Sequence, residues 1–403
     1  WRLQIPGLEE LTEIASRRGH TYDESECLYP AYNGDFDYQS ETSGNGFYSR
    51  DEFIDLLRYA ADRHVSIIPE IESPGHARAA IVAMKARYER YLETDPIKAH
   101  EYLLNDIHDA SHYVSAQGYS DNVMNVAMPS TYRFMKKVIQ ELQLMYEEAG
   151  VPLKSIHIGG DEGAWQGSPI CKDFMLEYSM TDVQELSDYF IMRIVDFLKE
   201  QKIPFSGWQE VVLGHDEISE RYLTDNAFGI SCWRTSANNH SDELIYKFAN
   251  KGYPVILSNA TNFYLDLAYD AHPDEPGHNW NGYVDESKSF ALLPYCIYRS
   301  IRTHLLANQK QEEKTSLTAE GRKNIKGVES ALWSETIRNY KGVEYYLFPK
   351  IMGLAERGWH SSPIWEPMTG IDEQLAFEKD LAFYYKRISQ KEIPYWDKMN
   401  INY

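Results

Sequence analysis

His157-Ile158-Gly159-Gly160-Asp161-Glu162 places two carboxylic acids side by side at the end of a short apolar run, Ser155 to Gly159. Along a regular strand, adjacent side chains point to opposite faces. The two glycines open backbone angles closed to other residues and clear side chains from where a ligand's ring would collide. Both acids can then turn toward one pocket. Such a pair suits acid-catalysed cleavage of an acetal, in which one carboxyl donates a proton and the other answers developing positive charge. Taken alone, the pair also fits a strand end whose acids cap the following helix.

Elements that could position these acids recur along the chain. Short apolar strands alternate with helical segments, the pattern of a parallel α/β fold. Strands are expected at Val65–Ile71, Ile156–Gly159, Ile203–Trp208, Ala227–Trp233, Pro254–Ser258 and Gly327–Leu332. Helices are expected around Asp51–Arg63, with Phe53, Leu56, Leu57 and Ala60 on one face, and over Tyr132–Ala149, capped by Ser130 and closed by Gly150. Two more are expected around Val183–Gln201 and from Ser241 to Gly252, and Tyr345–Gly358 reads as another. The strand ends carry Glu70 and Glu72, Asp161-Glu162, Trp208, Trp233, Tyr264-Leu265-Asp266 and Trp333-Ser334-Glu335. Polar and aromatic residues at the carboxyl ends of successive parallel strands are the active-site pattern of a TIM (β/α)8 barrel. A doubly wound open sheet would bind at one switch point, and no G-x-G-x-x-G phosphate loop is present. Six strands are two short of eight, so the first two barrel strands are expected upstream of residue 1. Residues 1–403 then form one N-terminally incomplete catalytic barrel domain.

Composition narrows the partners. The 403 residues are 43% hydrophobic and 25% charged, enough apolar material for a large core, and no low-complexity linker divides them. A formal charge of −21 disfavours nucleic acid and anionic membranes as partners. No apolar run reaches the length of a membrane span. Cys27, Cys171, Cys232 and Cys296 lie far apart, without metal-ligand spacing. Aromatic residues reach 13%, with 30 Tyr and 9 Trp, whose flat faces and polar edges suit sugar rings.

The acid pair and its neighbours strongly resemble the glycoside hydrolase family 20 β-N-acetylhexosaminidases. The likeness runs in order along the chain. Trp1-Arg2-Leu3-Gln4-Ile5 and Leu11-Thr12-Glu13-Ile14 look like the end of the family's second-strand motif. Ile68-Pro69-Glu70-Ile71-Glu72-Ser73-Pro74-Gly75-His76 resembles the third-strand motif, with Glu72 where Asp is more usual. His157 to Glu162 is similar to the family signature. Gly207-Trp208-Gln209-Glu210, Tyr264-Leu265-Asp266, Leu332-Trp333-Ser334-Glu335 and Ala355-Glu356-Arg357-Gly358-Trp359 match later motifs.

The resemblance implies roles. Glu162 is the general acid and then the base for water. Asp161 takes the N–H of the substrate's 2-acetamido group, whose carbonyl oxygen attacks the anomeric carbon to form an oxazolinium ion, a known exception to the two-carboxylate rule. Tyr264 orients that oxygen. Trp208, Trp233 and Trp333 wall the sugar, Asp266 and Glu335 accept hydrogen bonds from its hydroxyls, and Trp280 stacks at the rim. His76 stands behind Glu162, while His157 packs near the acids without a catalytic role. The implied partners are oligosaccharides or glycoconjugates ending in β-linked N-acetylhexosamine, with no cofactor and no metal. The expected location is periplasmic, cell-surface or secreted in a bacterium, or lysosomal in a eukaryote. An arginine that binds sugar hydroxyls and an aspartate that partners His76 would lie upstream of Trp1.

Three rivals remain open. A metal hydrolase would need His and carboxylate ligands, but H-E-x-x-H is absent. An ordinary retaining glycosidase would use Asp161 or Glu335 as a covalent nucleophile. A catalytically silent carbohydrate-binding barrel is the rival from outside enzymology.

Overall fold

The computed structural model describes every residue except 166, 236–237 and 301–313. Two compact units organise the chain, Trp1–Phe228 and Gly229–Tyr403. Among the described residues there are six strands, and in each unit they pair in parallel.

In the first unit β1 (Glu70–Ser73), β2 (Ile156–Gly159) and β3 (Phe205–Trp208) lie side by side. Glu70 stands opposite His157, Ser73 opposite Gly159, and Ile156 opposite Phe205. Parallel strands need crossover segments, and helices supply them. Pro129–Ala149 buries Phe134, Met135, Val138, Ile139 and Leu142 at helical spacing. Gln184–Glu200 does the same with Phe190, Ile191, Ile194 and Leu198. These side chains and the strand residues Ile156, Ile158 and Phe205 are wholly buried, each worth about 1.5–3 kcal/mol of burial. Truncating Leu142 to Ala would cost about 2–5 kcal/mol. Helix Arg50–Ala61 starts from a reciprocal cap between Ser49 and Glu52 and packs Phe53 edge-on against Tyr146.

In the second unit β4 (Ala227–Cys232, beginning at the division), β5 (Val255–Leu257) and β6 (Ile325–Val328) are neighbours. Ile230 faces Val255, and Leu257 faces Val328. Helix Leu244–Lys251 precedes β5 and ends at left-handed Gly252. Phe290, Leu293, Trp365, Tyr384, Ile388 and Trp396 form a separate apolar cluster toward the C-terminus.

Several boundaries differ from the sequence reading. β1 begins at Glu70 rather than Val65: the backbone N–H of His157 bonds to the Pro69 carbonyl, pairing starts there, and Val65 and Ile68 are exposed. Ser130 does not cap its helix, which starts at Pro129 after Met128 and buries Ser130 in its first turn. Gly150 closes it in a left-handed conformation, as expected. β6 is Ile325–Val328, upstream of the expected Gly327–Leu332, because β5 fixes its register. The helix expected over Tyr345–Gly358 is two, Tyr340–Leu347 and Ile351–Trp359, separated at Pro349, which has no N–H to continue the ladder.

Candidate active site

In the first unit the end of β2 meets the turn after β1. Ser73 donates its hydroxyl to the Ile158 carbonyl at 2.8 Å and accepts the Gly160 N–H at 2.8 Å, fixing the two strand ends together. Gly159 and Gly160 have φ of +72° and +102°, and Glu162 itself has φ of +49°. A Cβ on Gly160 would fall 2.0 Å from Val211 Cγ1. This backbone turns both carboxyls toward His76, also left-handed at φ +48°. His76 Nε2 lies 3.4 Å from Asp161 Oδ2 and 3.3 Å from Glu162 Oε2.

Behind that contact lies a row of acids. Glu72 packs on the Gly159 backbone, and Trp208 Nε1 donates to its Oε2 at 3.3 Å. Glu70 Oε1 is 3.1 Å from His157 Nδ1, and the His157 ring stands edge-on to Trp208 at 4.9 Å. Burial, then the charges of Asp161 and Glu70, push Glu72 well above the ordinary carboxyl range. Burial would also raise Asp161, but hydrogen bonds from His76 and Glu72 outweigh it and hold Asp161 below the usual value. Glu70 is likewise lowered: burial opposes, and His157 prevails. Hydrogen bonds to Asp161 and Glu162 raise His76 to about 10 against the opposing effect of burial. At neutral pH the cluster therefore holds an imidazolium and an anionic Asp161, while Glu72 is displaced toward its neutral form. Among the described residues, no group of three or more His, Cys, Asp or Glu is placed to hold a metal ion.

The second unit gathers aromatic rings. Tyr264 follows a short helical turn, Ala260–Phe263, and bridges to Ala331. Its ring lies 6.5 Å from Trp233, nearly parallel, and edge-on to Trp280 and Trp333, each at 5.9 Å. Trp280 is 56% exposed, a rim position. Asp266, almost wholly buried, accepts the Trp333 N–H at 3.3 Å and leaves Oδ2 without a partner among the described residues. Burial, supported by the charge of Glu335, raises Asp266 to about 6. Glu335 is exposed.

A paired acid at a glycine turn and a tryptophan-lined strand end suit sugar chemistry, and the comparisons agree. The model of glycosyl hydrolase family 20, catalytic domain, matches residues 1–362. The chain belongs to this family. It is 33% identical over 427 aligned residues to a beta-hexosaminidase of Vibrio vulnificus, covering 100% of the chain and 50% of that protein. It is 34% identical over 376 residues to beta-hexosaminidase B of Pseudoalteromonas piscicida, covering 91% and 47%. The crystal structure of a family 20 exo-beta-N-acetylglucosaminidase from Vibrio harveyi, in complex with N-acetylglucosamine, superposes with a TM-score of 0.71 at 29% identity, over 100% of this chain and 52% of that one. The chain spans about half the length of the curated relatives it matches.

As a family 20 chain, the protein has the TIM-barrel fold class expected from its strand ends. In the first unit the structure brings together Asp161, Glu162 and His76, with Trp208 joined to them through Glu72. In the second it gathers Trp233, Tyr264, Trp280 and Trp333, with Asp266 on the Trp333 backbone and Glu335 nearby. The sequence marks Glu72 as a strand-end acid and as a motif departure but assigns it no role; that it shares a face of β1 with Glu70 follows from period-two spacing, while its contact with Asp161 does not. Lys350 was missed. A lone lysine after Phe-Pro carries no sequence signal, yet its ammonium donates to the Leu265 and Leu267 carbonyls on either side of Asp266.

Proposed function

We propose that the protein is a retaining exo-glycosidase that removes terminal, non-reducing, β-linked N-acetylglucosamine or N-acetylgalactosamine by substrate-assisted catalysis. The observation that carries this reading is the His76 imidazolium held 3.4 Å from Asp161 and 3.3 Å from Glu162. It leaves the two neighbouring carboxyls in different environments, Asp161 at 13% side-chain exposure and Glu162 at 41%.

Glu162 protonates the glycosidic oxygen and later accepts a proton from water. Asp161, kept anionic, accepts the acetamido N–H as positive charge builds on that nitrogen. The acetamido oxygen, held against the ring by Tyr264, attacks as an intramolecular nucleophile and gains the effective molarity of a tethered group. Trp208, Trp233 and Trp333 wall the sugar, Trp280 stacks at the rim, and Asp266 and Glu335 take its hydroxyls. His76 positions both acids. The names of the relatives, a beta-hexosaminidase and an exo-beta-N-acetylglucosaminidase, support this substrate class. We place the enzyme in the periplasm, at the cell surface or outside the cell, where such glycans occur.

The test is hydrolysis of an aryl β-N-acetylglucosaminide, with product stereochemistry followed by NMR. Release of the β-anomer without added metal is expected; an inverted product, loss of turnover in EDTA, or no turnover at all would overturn the reading. Trapping with a 2-fluoro sugar separates it from an ordinary retaining mechanism, because only a carboxylate nucleophile is labelled.

A further inference from the structure

Lys350 is 0% exposed. Burying an ammonium is costly, and an aliphatic side chain of the same volume is often the more stable choice. Its retention calls for a task. Nζ donates to the Leu265 carbonyl at 2.9 Å and to the Leu267 carbonyl at 2.7 Å, and it lies 3.8 Å from the centroid of the Tyr269 ring. Two carbonyls and one ring face occupy the three N–H directions, so none is left for a ligand.

The lysine is itself fixed from behind. Its carbonyl accepts the Ser289 hydroxyl at 2.6 Å, and the Tyr269 hydroxyl donates to the Tyr345 and Phe348 carbonyls just before it. Helix Ile351–Trp359 meets residue 289 so closely that a Cβ on Gly353 would fall 2.1 Å from Ser289 Oγ. The carbonyls that Lys350 grips belong to the residues on either side of Asp266. The same short segment follows Tyr264, and its other edge bonds to Ala331 and Trp333.

We propose that Lys350 is a positioning residue that clamps the Leu265–Leu267 backbone and so sets where Asp266 presents its carboxyl to a sugar hydroxyl. This assignment rests on the proposed role of Asp266 in sugar binding. The clamp is an intact cation at neutral pH: burial lowers it to about 8, while Glu275, Asp266, Asp285 and Glu286 act to raise it. Its grip reaches the substrate only through backbone geometry.

The test has two arms. In the first, kcat/KM for an aryl β-N-acetylglucosaminide is compared across the wild type, Lys350→Met, Asp266→Asn and the double variant. Lys350→Met should lower kcat/KM about tenfold or more in the wild-type background and less than about threefold once Asp266 is Asn, the non-additivity expected of coupled residues. Equal factors in both backgrounds, or no loss, would overturn the clamp.

In the second arm, hydrogen exchange is read at the amides of Leu265, Leu267 and Ala268. Lys350→Met should accelerate these about tenfold while the remaining amides of Gly229–Tyr403 stay at wild-type rates. A uniform rise, or none, would overturn the proposal. This arm does not depend on turnover, so an inactive wild type would sink the functional reading while the clamp is still judged. If Lys350→Met does not fold, Lys350→Gln, uncharged and one bond shorter, takes its place in both arms; failure of both to fold would make Lys350 a residue of the fold at large and overturn the clamp.

Discussion

Gly75 runs so close beneath the Glu162 carbonyl that a Cβ built on it would fall 2.2 Å from that oxygen and 2.4 Å from the carbonyl oxygen of Asp161. The obstacle is backbone, which cannot swing aside as a side chain would. Gly75→Ala should therefore displace the Asp161–Glu162 turn. A stability loss of about 1–3 kcal/mol from overpacking is expected, together with a fall in kcat larger than that loss explains. Urea unfolding and steady-state kinetics on the same sample check both; a fully active Gly75→Ala would mean the turn is not held from below.

Asp161→Asn keeps the shape of the side chain and removes its charge. Turnover of N-acetyl substrates should fall by about 10²–10³, the usual cost of losing one electrostatic stabiliser of a transition state. A thiazoline mimic of the cyclised intermediate should inhibit the wild type strongly and the variant weakly. Unchanged turnover would take Asp161 out of the mechanism.

Glu72 and Asp161 lie in one buried contact, in which the neutral form is favoured at Glu72 and the anion at Asp161. Glu72→Gln also offers Asp161 a donor and accepts from Trp208, so kcat/KM at neutral pH should stay within about threefold of wild type. Glu72→Ala removes the donor and leaves a buried acceptor unsatisfied, which costs about 1–3 kcal/mol. Equal losses in the two variants would show that Glu72 acts as an anion.

The pH dependence of stability has a determined sign. His76 binds its proton more tightly folded than unfolded. Its contribution is therefore complete below its ordinary value of 6.5 and is lost as pH rises toward about 10. Asp161 is depressed, so its contribution is present above 3.8, its ordinary value, and fades as pH falls below it. In His76→Asn the stability deficit relative to wild type should shrink steadily between neutral pH and about 10, which denaturant titrations at four or five pH values would show. A constant deficit would mean that the imidazolium pairing does not stabilise the folded state.

Much of this site was legible because the informative residues follow strands whose periodicity is plain. β2 was read to the residue, since an apolar run ending in two glycines has one natural stop. β1 was read too early: Val65 to Ile68 look like a strand, but only pairing with β2 decides where one begins, and pairing is not written in local hydrophobicity. β6 slipped for the same reason. The Glu72–Asp161 contact joins residues 89 positions apart, and the grip of Lys350 on residues 265 and 267 spans 85 and 83 positions. Such contacts are products of tertiary packing, and no spacing rule on one element reports them.

The left-handed backbone at Glu162 and His76 sets the two residues with the sharpest proposed tasks against local conformational preference. Glycine or asparagine would adopt those angles with less strain. A mutant library selected only for heat resistance should therefore drift toward such replacements at position 162, and the survivors would be robust proteins that no longer turn over sugar. Directed evolution of this chain for durability thus needs an activity screen at every round, because one of its stabilising steps lies at the proposed acid itself.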